Sequence, residues 1–334
     1  MTTIDATAIE ARPRPVALWL PRPVERRLPL CKKLLPLLAM GVAVYVLLPR
    51  VAQASSSLSS LSAPSWPWLL VVGACATATY ALAAIALARA SGLPLPFRRT
   101  FVAQVAAAFT NRVVPAGLGA AATNVRYLEG NGLDRPSATT AIAVIAASGF
   151  VVHTVATVAI VVLLRGGAIP LHFPDLDATW KSLLALAGAA AVIGWLIWAP
   201  RARCALQRWA HASFRNIGAI LRQPRRLIAL LTCSAGVTGC YVAALAASLM
   251  AFGVHASLAS VAVVYLTSSA VAAVAPTPGG VGPFEAAAVA GLGAVGVAAA
   301  PAVAAVITFR LITYWLPVAP GAAALHRLRR QGAL

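Results

Sequence analysis

The chain has 334 residues, 60% apolar and only 10% charged, with a mean hydropathy of +0.83. A soluble domain carries about 25% charged residues, so a soluble enzyme built on one core is excluded. The 27 Lys and Arg against 8 Asp and Glu give a formal charge of +19. In a polar chain that balance would suggest a nucleic-acid partner; in one this apolar it records orientation in a membrane, and no nucleic-acid partner is expected.

Residues 1–33 read as a cytosolic basic, Pro-rich arm. Pro13, Pro15, Pro21, Pro23 and Pro29 interrupt any helix there. Its basic residues either lie on anionic head groups or serve only as an orientation signal. No short apolar run precedes a small-residue cleavage site, so no removable signal peptide is expected. A first transmembrane helix is expected at 34–49, and further full spans at 68–90, 138–164, 181–199, 227–252 and 302–324.

Two other apolar regions, 98–130 and 258–299, are broken near their middles. The first carries Pro115, Gly117 and Gly119; the second carries Pro276, Pro278, Gly279, Gly280 and Gly282. Proline lacks a helical donor and glycine tolerates angles other residues avoid, so each region reads as two short helices joined by a tight turn. The expected fold is an all-α polytopic membrane protein with about six full transmembrane helices and two broken or re-entrant helical hairpins.

Basic residues gather on alternate sides of these spans. The arm, Arg89, Arg98, Arg99, Arg135, the Arg-rich stretch 201–226 and the tail residues Arg327, Arg329 and Arg330 fall on one side; Arg50, Arg165 and Lys181 fall on the other. The positive-inside rule places both termini in the cytoplasm of a cell whose inner membrane holds the protein. The 98–130 region then enters and leaves from the cytoplasm, and 258–299 from the opposite side. Each is either a re-entrant pair of half-helices or a hairpin of full spans. Non-helical backbone at that depth survives only when buried in protein or lining a wet cavity.

The two regions match beyond their turns. Gly92-Leu93 answers to Gly253-Val254, Pro115 through Gly119 to Pro278 through Gly282, and Gly132-Leu133 to Gly296-Val297, at offsets of 161 to 164 residues. The chain therefore divides into repeat A at 68–164 (span, broken hairpin, span), a connector at 165–226 with one span and a basic cytosolic loop, repeat B at 227–324, and a basic tail at 325–334. Topology gives the copies opposite orientations. Inverted repeats with broken helices recur in transporters, with the substrate site where the breaks meet, and half-helix N-termini suit an anionic group.

The segment from Pro276 to Glu285, followed by Arg310 in the next span, resembles the P-x-P-G-G-x-G-x-x-E signature of the transmembrane, flippase-like domain of lysylphosphatidylglycerol synthases. The first-half stretch Asn111 to Gly119 is a looser match. The resemblance covers roughly 34–324 and implies a standalone member without the soluble synthase domain. It implies a lipid transporter rather than an enzyme, moving an anionic or aminoacylated phospholipid or a polyprenyl-linked glycolipid between leaflets. Membrane lipids, and a separate lipid-modifying enzyme, are the partners it implies.

The ionisable residues at membrane depth are the candidate substrate-binding groups. Glu285 follows the second turn, with Pro283 at a first helical position. It reads as a helix-capping acid, as a membrane-depth carboxylate that pairs with Arg310, a cationic head group or a coupling proton, or as both. Arg310 lies inside the last span, where its planar fork suits phosphate. Arg112, Arg126, Asn111 and Asn124 border the first turn and offer a basic, hydrogen-bonding pocket open to the cytoplasm; the alternative is interfacial arginines anchoring a short hairpin. Glu129 is expected to pair with Arg126, and His153 to pack with a backbone carbonyl as its partner.

Cys31, Cys75, Cys204, Cys233 and Cys240 form no CxxC pair, so neither disulfide framework nor metal site is expected. The Gly279–Gly282 run lacks the Lys-Ser or Lys-Thr of a nucleotide loop, no nucleophile with a base is legible, and no cofactor is expected. Two rivals stand beside the transporter: a membrane-embedded transferase acting on a lipid carrier, and a non-catalytic scaffold working through the basic arm and the 200–226 loop.

Overall fold

The computed structural model describes residues 63–113, 118–165, 223–275 and 277–332. The regular elements among them are all helical: α1 (Trp66–Ser91), α2 (Phe97–Val113), α3 (Leu118–Gly130), α4 (Arg135–Arg165), α5 (Pro224–Met250), α6 (Leu258–Val274), α7 (Pro283–Ala294), α8 (Ala299–Arg310) and α9 (Val318–Arg330). A 3-10 turn, Pro278–Gly280, precedes α7, and a π-helical segment, Leu311–Trp315, joins α8 to α9 in one run, Ala299–Arg330.

Among the described residues, four helices are long and apolar enough to cross a membrane: α1, α4, α5 and the α8–α9 run. They answer to the spans expected at 68–90, 138–164, 227–252 and 302–324. The helices expected at 34–49 and 181–199, the arm at 1–33 and nearly all of the connector lie outside the described residues. At 17 and 13 residues, α2 and α3 fall short of the roughly 20 that a span needs, as do α6 and α7 at 17 and 12. The two broken regions are thus pairs of short helices, as the proline-glycine breaks require.

The element ends follow from local chemistry. Pro67, Pro224 and Pro283 sit in first turns, where a missing N–H costs nothing. Ser257 caps α6 by accepting the Ser260 N–H at 3.1 Å. The exposed Asp134 carboxylate accepts the Ser137 N–H at 3.2 Å ahead of α4, and hydrogen bonding from the Ser137 side chain and then its backbone lowers the pKa. Gly92, Gly132, Gly253 and Gly296 adopt positive φ at helix exits, where the Cβ of any other residue would be strained.

α1 and α5 pack antiparallel along their lengths. The Ser65 N–H donates to the Ala251 carbonyl at 2.9 Å at one end, and the Arg226 guanidinium lies over Gly92 at the other. Between them Gly236 admits Leu82 so closely that an added Cβ would come within 2.9 Å of its methyl carbon. Small residues allow such approach between membrane helices. Gly321 does the same for α9 against α2, where a Cβ would stand 2.7 Å from Phe109 Cβ and 2.9 Å from the Val105 carbonyl oxygen.

Among the described residues, buried apolar side chains form two clusters. One joins α5, α6, α7 and α8 around Leu245, Val264, Val289 and Val303; the other joins α1, α2, α3 and the start of α4 around Leu87, Ala103, Tyr127 and Leu128, with Leu230 and Leu328 added. The second cluster gathers the basic ends of the elements: Arg89 on α1, Arg98 and Arg99 on α2, Arg135 on α4, Arg225 and Arg226 on α5, and Arg327, Arg329 and Arg330 on α9. The stretches 251–257 and 295–300, which meet at the opposite end, carry no lysine or arginine.

Candidate functional site: a cavity between the hairpin tips

Polar rungs hold the first hairpin in register. Thr100 and Tyr127 hydroxyls meet at 3.1 Å near its open end, Gln104 Nε2 donates to Asn124 Oδ1 at 3.0 Å, and Thr110 and Thr123 hydroxyls meet at 2.9 Å near its tip. This ladder carries Asn111 and Arg112 to the deep end of α2. Gly119 completes the tip, because any Cβ there would collide with the Thr110 carbonyl. Pro115 and Gly117 lie outside the described residues.

The second hairpin is built on glycine. Gly279, Gly280 and Gly282 have φ of 61°, 67° and 91°, angles at which an L side chain is strained. Space is short as well as shape. A Cβ on Gly280 would stand 2.6 Å from Ala272 Cβ, and one on Gly279 would overlap the Tyr314 ring and hydroxyl. Pro276 lies outside the described residues, whereas Pro278 opens the 3-10 turn.

Glu285 holds this turn from within. Its Oε2 accepts the Gly282 N–H at 2.6 Å and its Oε1 accepts Arg310 Nε at 2.5 Å. The capping and ion-pairing readings are therefore both true. Arg310 is 9% exposed, and its Nη2 donates to the Gly279 carbonyl at 3.3 Å. Its guanidinium carbon lies 4.9 Å from the Phe284 ring centre and 4.4 Å from that of Tyr314. Arginine stacks on aromatic faces where an ammonium would fit less well.

Arg112 reaches the other face of the same neighbourhood. Its guanidinium carbon is 4.7 Å from the Tyr314 ring centre, and its Nη2 donates to the Thr313 carbonyl at 3.3 Å. That carbonyl lies in the π-helical segment, where Leu316 N–H bonds back to Leu311 rather than to the residue four before it. π-Helical turns of this kind recur at functional sites because they displace backbone groups from the regular ladder.

Between these groups lies a cavity of 280 Å³. Asn111, Arg112, Gly279, Arg310, Thr313 and Tyr314 supply its polar rim, and Tyr80, Tyr241, Tyr265, Phe284 and Phe309 wall it. The aromatic wall is continuous: Tyr241 stacks on Tyr265 and Phe284 on Phe309, both with centroids 5.7 Å apart. Two guanidinium groups and one carboxylate leave the site with one positive charge in excess. Asn111 Oδ1 and Arg112 Nε and Nη1 are buried without a hydrogen-bond partner. A buried polar group left unpaired costs about 1–3 kcal/mol, and more when charged; the positive excess around the cavity, rather than these enclosed atoms, is what suits it to an anionic guest.

Of the residues singled out in the sequence, Asn111, Arg112, Arg310 and Glu285 converge here, with Gly279. Arg126 and Asn124 do not. Arg126 is exposed on α3 and Asn124 is occupied by Gln104; both stand further from the hairpin tip along α3 than Thr123, which bonds to Thr110 there. Glu129 lies 3.8 Å from Arg135, not against Arg126 as expected; the chain turns back at Gly132 and brings the start of α4 beside it. His153 Nε2 lies 3.2 Å from the Leu266 carbonyl, the packed histidine anticipated. Cys75, Cys233 and Cys240 are free thiols.

Tyr314, Thr313 and the aromatic wall were not legible as site residues. One signal was available: Tyr314 follows Arg310 by four positions, which places both on one helical face. No curated protein matches the chain at a significant level. A family model for the transmembrane region of lysylphosphatidylglycerol synthases, however, matches residues 35–321; the protein belongs to that family of membrane domains.

Proposed function

We propose that the protein moves a lipid between leaflets, its head group passing through the cavity where the two hairpin tips meet while its chains stay in the bilayer. The observation that carries this reading is the buried excess of positive charge at that point among the described residues: Arg112 with no carboxylate of theirs against it, beside an Arg310 that has one. The lipid is an anionic or aminoacylated phospholipid or a polyprenyl-linked glycolipid, and the protein acts as a transporter rather than an enzyme. It would take its lipid from a separate lipid-modifying enzyme in the same membrane.

The architecture supports the inverted repeat of 68–164 and 227–324 that this transport requires. α1 and α5, the first helices of the two copies, run antiparallel. The exits of equivalent helices use equivalent glycines, with φ of 72° and 74° at Gly92 and Gly253, and 94° and 86° at Gly132 and Gly296. The copies also pack alike: α1 touches α2 and α4 as α5 touches α6 and α8, and α4 reaches α6 as α9 reaches α2. The basic end then faces the cytoplasm of an inner membrane, with both termini on that side. Short helices entering from each side and meeting at depth, with irregular backbone against a cavity, are an arrangement that lipid would otherwise forbid.

The test is head-group translocation in proteoliposomes containing the purified protein. A folded Glu285→Ala, Arg310→Ala double variant is expected to lose translocation; wild-type movement would sink these site roles. Product formation from a lipid carrier in detergent, where no second leaflet exists, would instead favour a transferase.

A further inference from the structure

Building on the lipid-transport reading, we propose that Pro317 is the positioning residue for Arg112. By withholding a helical N–H it leaves the Thr313 carbonyl to the guanidinium, and the resulting tie holds the tip of α2 against the last span. Arg112 and Thr313 both line the cavity, so movement of that tip against the last span has to break the tie.

The acceptor comes from a break in the helix. In a regular α-helix the Thr313 carbonyl would take the N–H of the residue four places on. That residue is Pro317, which has none. The π-helical segment does not repair the loss, because the Leu316 N–H goes to the Leu311 carbonyl at 2.8 Å. Nor does the threonine hydroxyl help, since it donates to the Phe309 carbonyl at 2.6 Å. Within a membrane, a carbonyl freed by proline has to be met from elsewhere in the protein or by water. Arg112 Nη2 meets this one at 3.3 Å, reaching past the Tyr314 ring.

The dependence is mutual. Arg112 Nε and Nη1 are enclosed and unpaired, and the Thr313 carbonyl is the one hydrogen-bond acceptor that the guanidinium has among the described residues. Parting them leaves a carbonyl without a donor and a guanidinium without an acceptor. Hydrogen bonds from an ionised donor are also about twice as strong as neutral ones. The tie belongs to one copy of the repeat. At the spacing that carries Pro115 onto Pro278, Arg112 answers to Ala275 and Pro317 to Thr154. The counterpart of the last span, α4, runs unbroken from Arg135 to Arg165. Arginine and proline are thus present together in one pairing and absent together from the other, as a matched donor and acceptor should be. The second tip is held instead by Glu285 and Arg310.

The experiment is amide hydrogen exchange over residues 311–316 in the detergent-purified full chain, compared among the wild type, Arg112→Met, Pro317→Ala and the double variant. Arg112→Met removes every donor and keeps an apolar stem, whereas Pro317→Ala restores the missing N–H. With Pro317 in place, Arg112→Met is expected to speed exchange by about tenfold or more. In the Pro317→Ala background the same change is expected to speed it by about threefold or less, because Thr313 then has a donor within its own helix. Arg112→Lys, which keeps a charged donor, is expected to stay within about threefold of the wild type.

Wild-type exchange in a folded Arg112→Met protein would overturn the proposal. So would an acceleration that is the same with and without Pro317, which is the result expected of a proline that only kinks the helix. If Pro317→Ala does not fold, Arg112→Lys against Arg112→Met still decides: equal acceleration by both would mean that Thr313 does not depend on the donor. Exchange in detergent does not require transport. If the tie behaves as expected and no lipid crosses in proteoliposomes, the transport reading falls and the tie stands. If lipid crosses and the effect of Arg112→Met ignores residue 317, the tie falls and transport stands.

Discussion

Arg112 and Arg310 face one ring between them, that of Tyr314, with guanidinium carbons 4.7 and 4.4 Å from its centroid. Two like charges this close at membrane depth persist only if something offsets them. Glu285 does so for Arg310, and the electron-rich ring contributes to both.

The Arg310–Glu285 pair is expected to behave as a unit. Removing one partner from a buried pair leaves an uncompensated charge and costs about 3–5 kcal/mol. Glu285→Ala and Arg310→Ala should each lower thermal stability in detergent, and the double variant should lose much less than the sum. Thermal unfolding of the three variants gives the coupling; additive losses would mean the pair does not hold the turn.

Gly279 and Gly280 should tolerate no side chain. Both have positive φ and both lack room for a Cβ. Strained backbone of this kind costs roughly 1–3 kcal/mol per residue, before any clash. Gly279→Ala should reduce head-group translocation and loosen the turn to limited proteolysis, and Tyr314→Ala should relieve the steric part of the defect without restoring transport. The relevant comparison is the protection of the 277–282 stretch in single and double variants.

Gly321→Leu tests the contact between α9 and α2. The side chain would be driven into Phe109 and the Val105 carbonyl, and overpacking costs roughly 1–3 kcal/mol. Because Arg112 sits on α2 just beyond Phe109, the variant should weaken anion binding as well as stability. Gly73→Ala, at a glycine with nothing within 4 Å of an added Cβ, should leave both unchanged.

Orientation is open to labelling. In a cysteine-free background, Ser257→Cys should react with a membrane-impermeant thiol reagent in intact cells, and Arg327→Cys only after permeabilisation. Ser257 caps α6 at the end opposite the basic cluster. Reaction of Arg327→Cys alone in intact cells would reverse the orientation read from charge.

Much of this fold was legible because its determinants are local. Hydropathy marked α1, α4, α5 and the α8–α9 run, and the proline-glycine runs marked where the short helices stop. Glu285 was readable as a cap because capping depends on residues three apart. The cavity was not readable in the same way. Arg112 meets the Thr313 carbonyl across 201 positions, and the aromatic wall draws on helices from both halves, so its residues look like ordinary membrane apolar positions until the helices pack. Arg126 failed for a different reason: it is exposed, eight residues along α3 from Leu118, so about 12 Å from the tip end of that helix at roughly 1.5 Å per residue.

The close approach of Leu82 to Gly236 also sets a mechanical ratio. Measured along α1, that contact lies 17 residues from Ser65 and 10 from Gly92, or about 25 Å and 15 Å at roughly 1.5 Å per residue. If the two rods pivot there, closing them at the basic end parts them at the other, where the Ser65–Ala251 bond must break, and the far end travels about 1.7 times as far for the same rotation. A small tilt on the arginine-rich side would thus become the larger stroke on the opposite face, with the cavity close to the fulcrum.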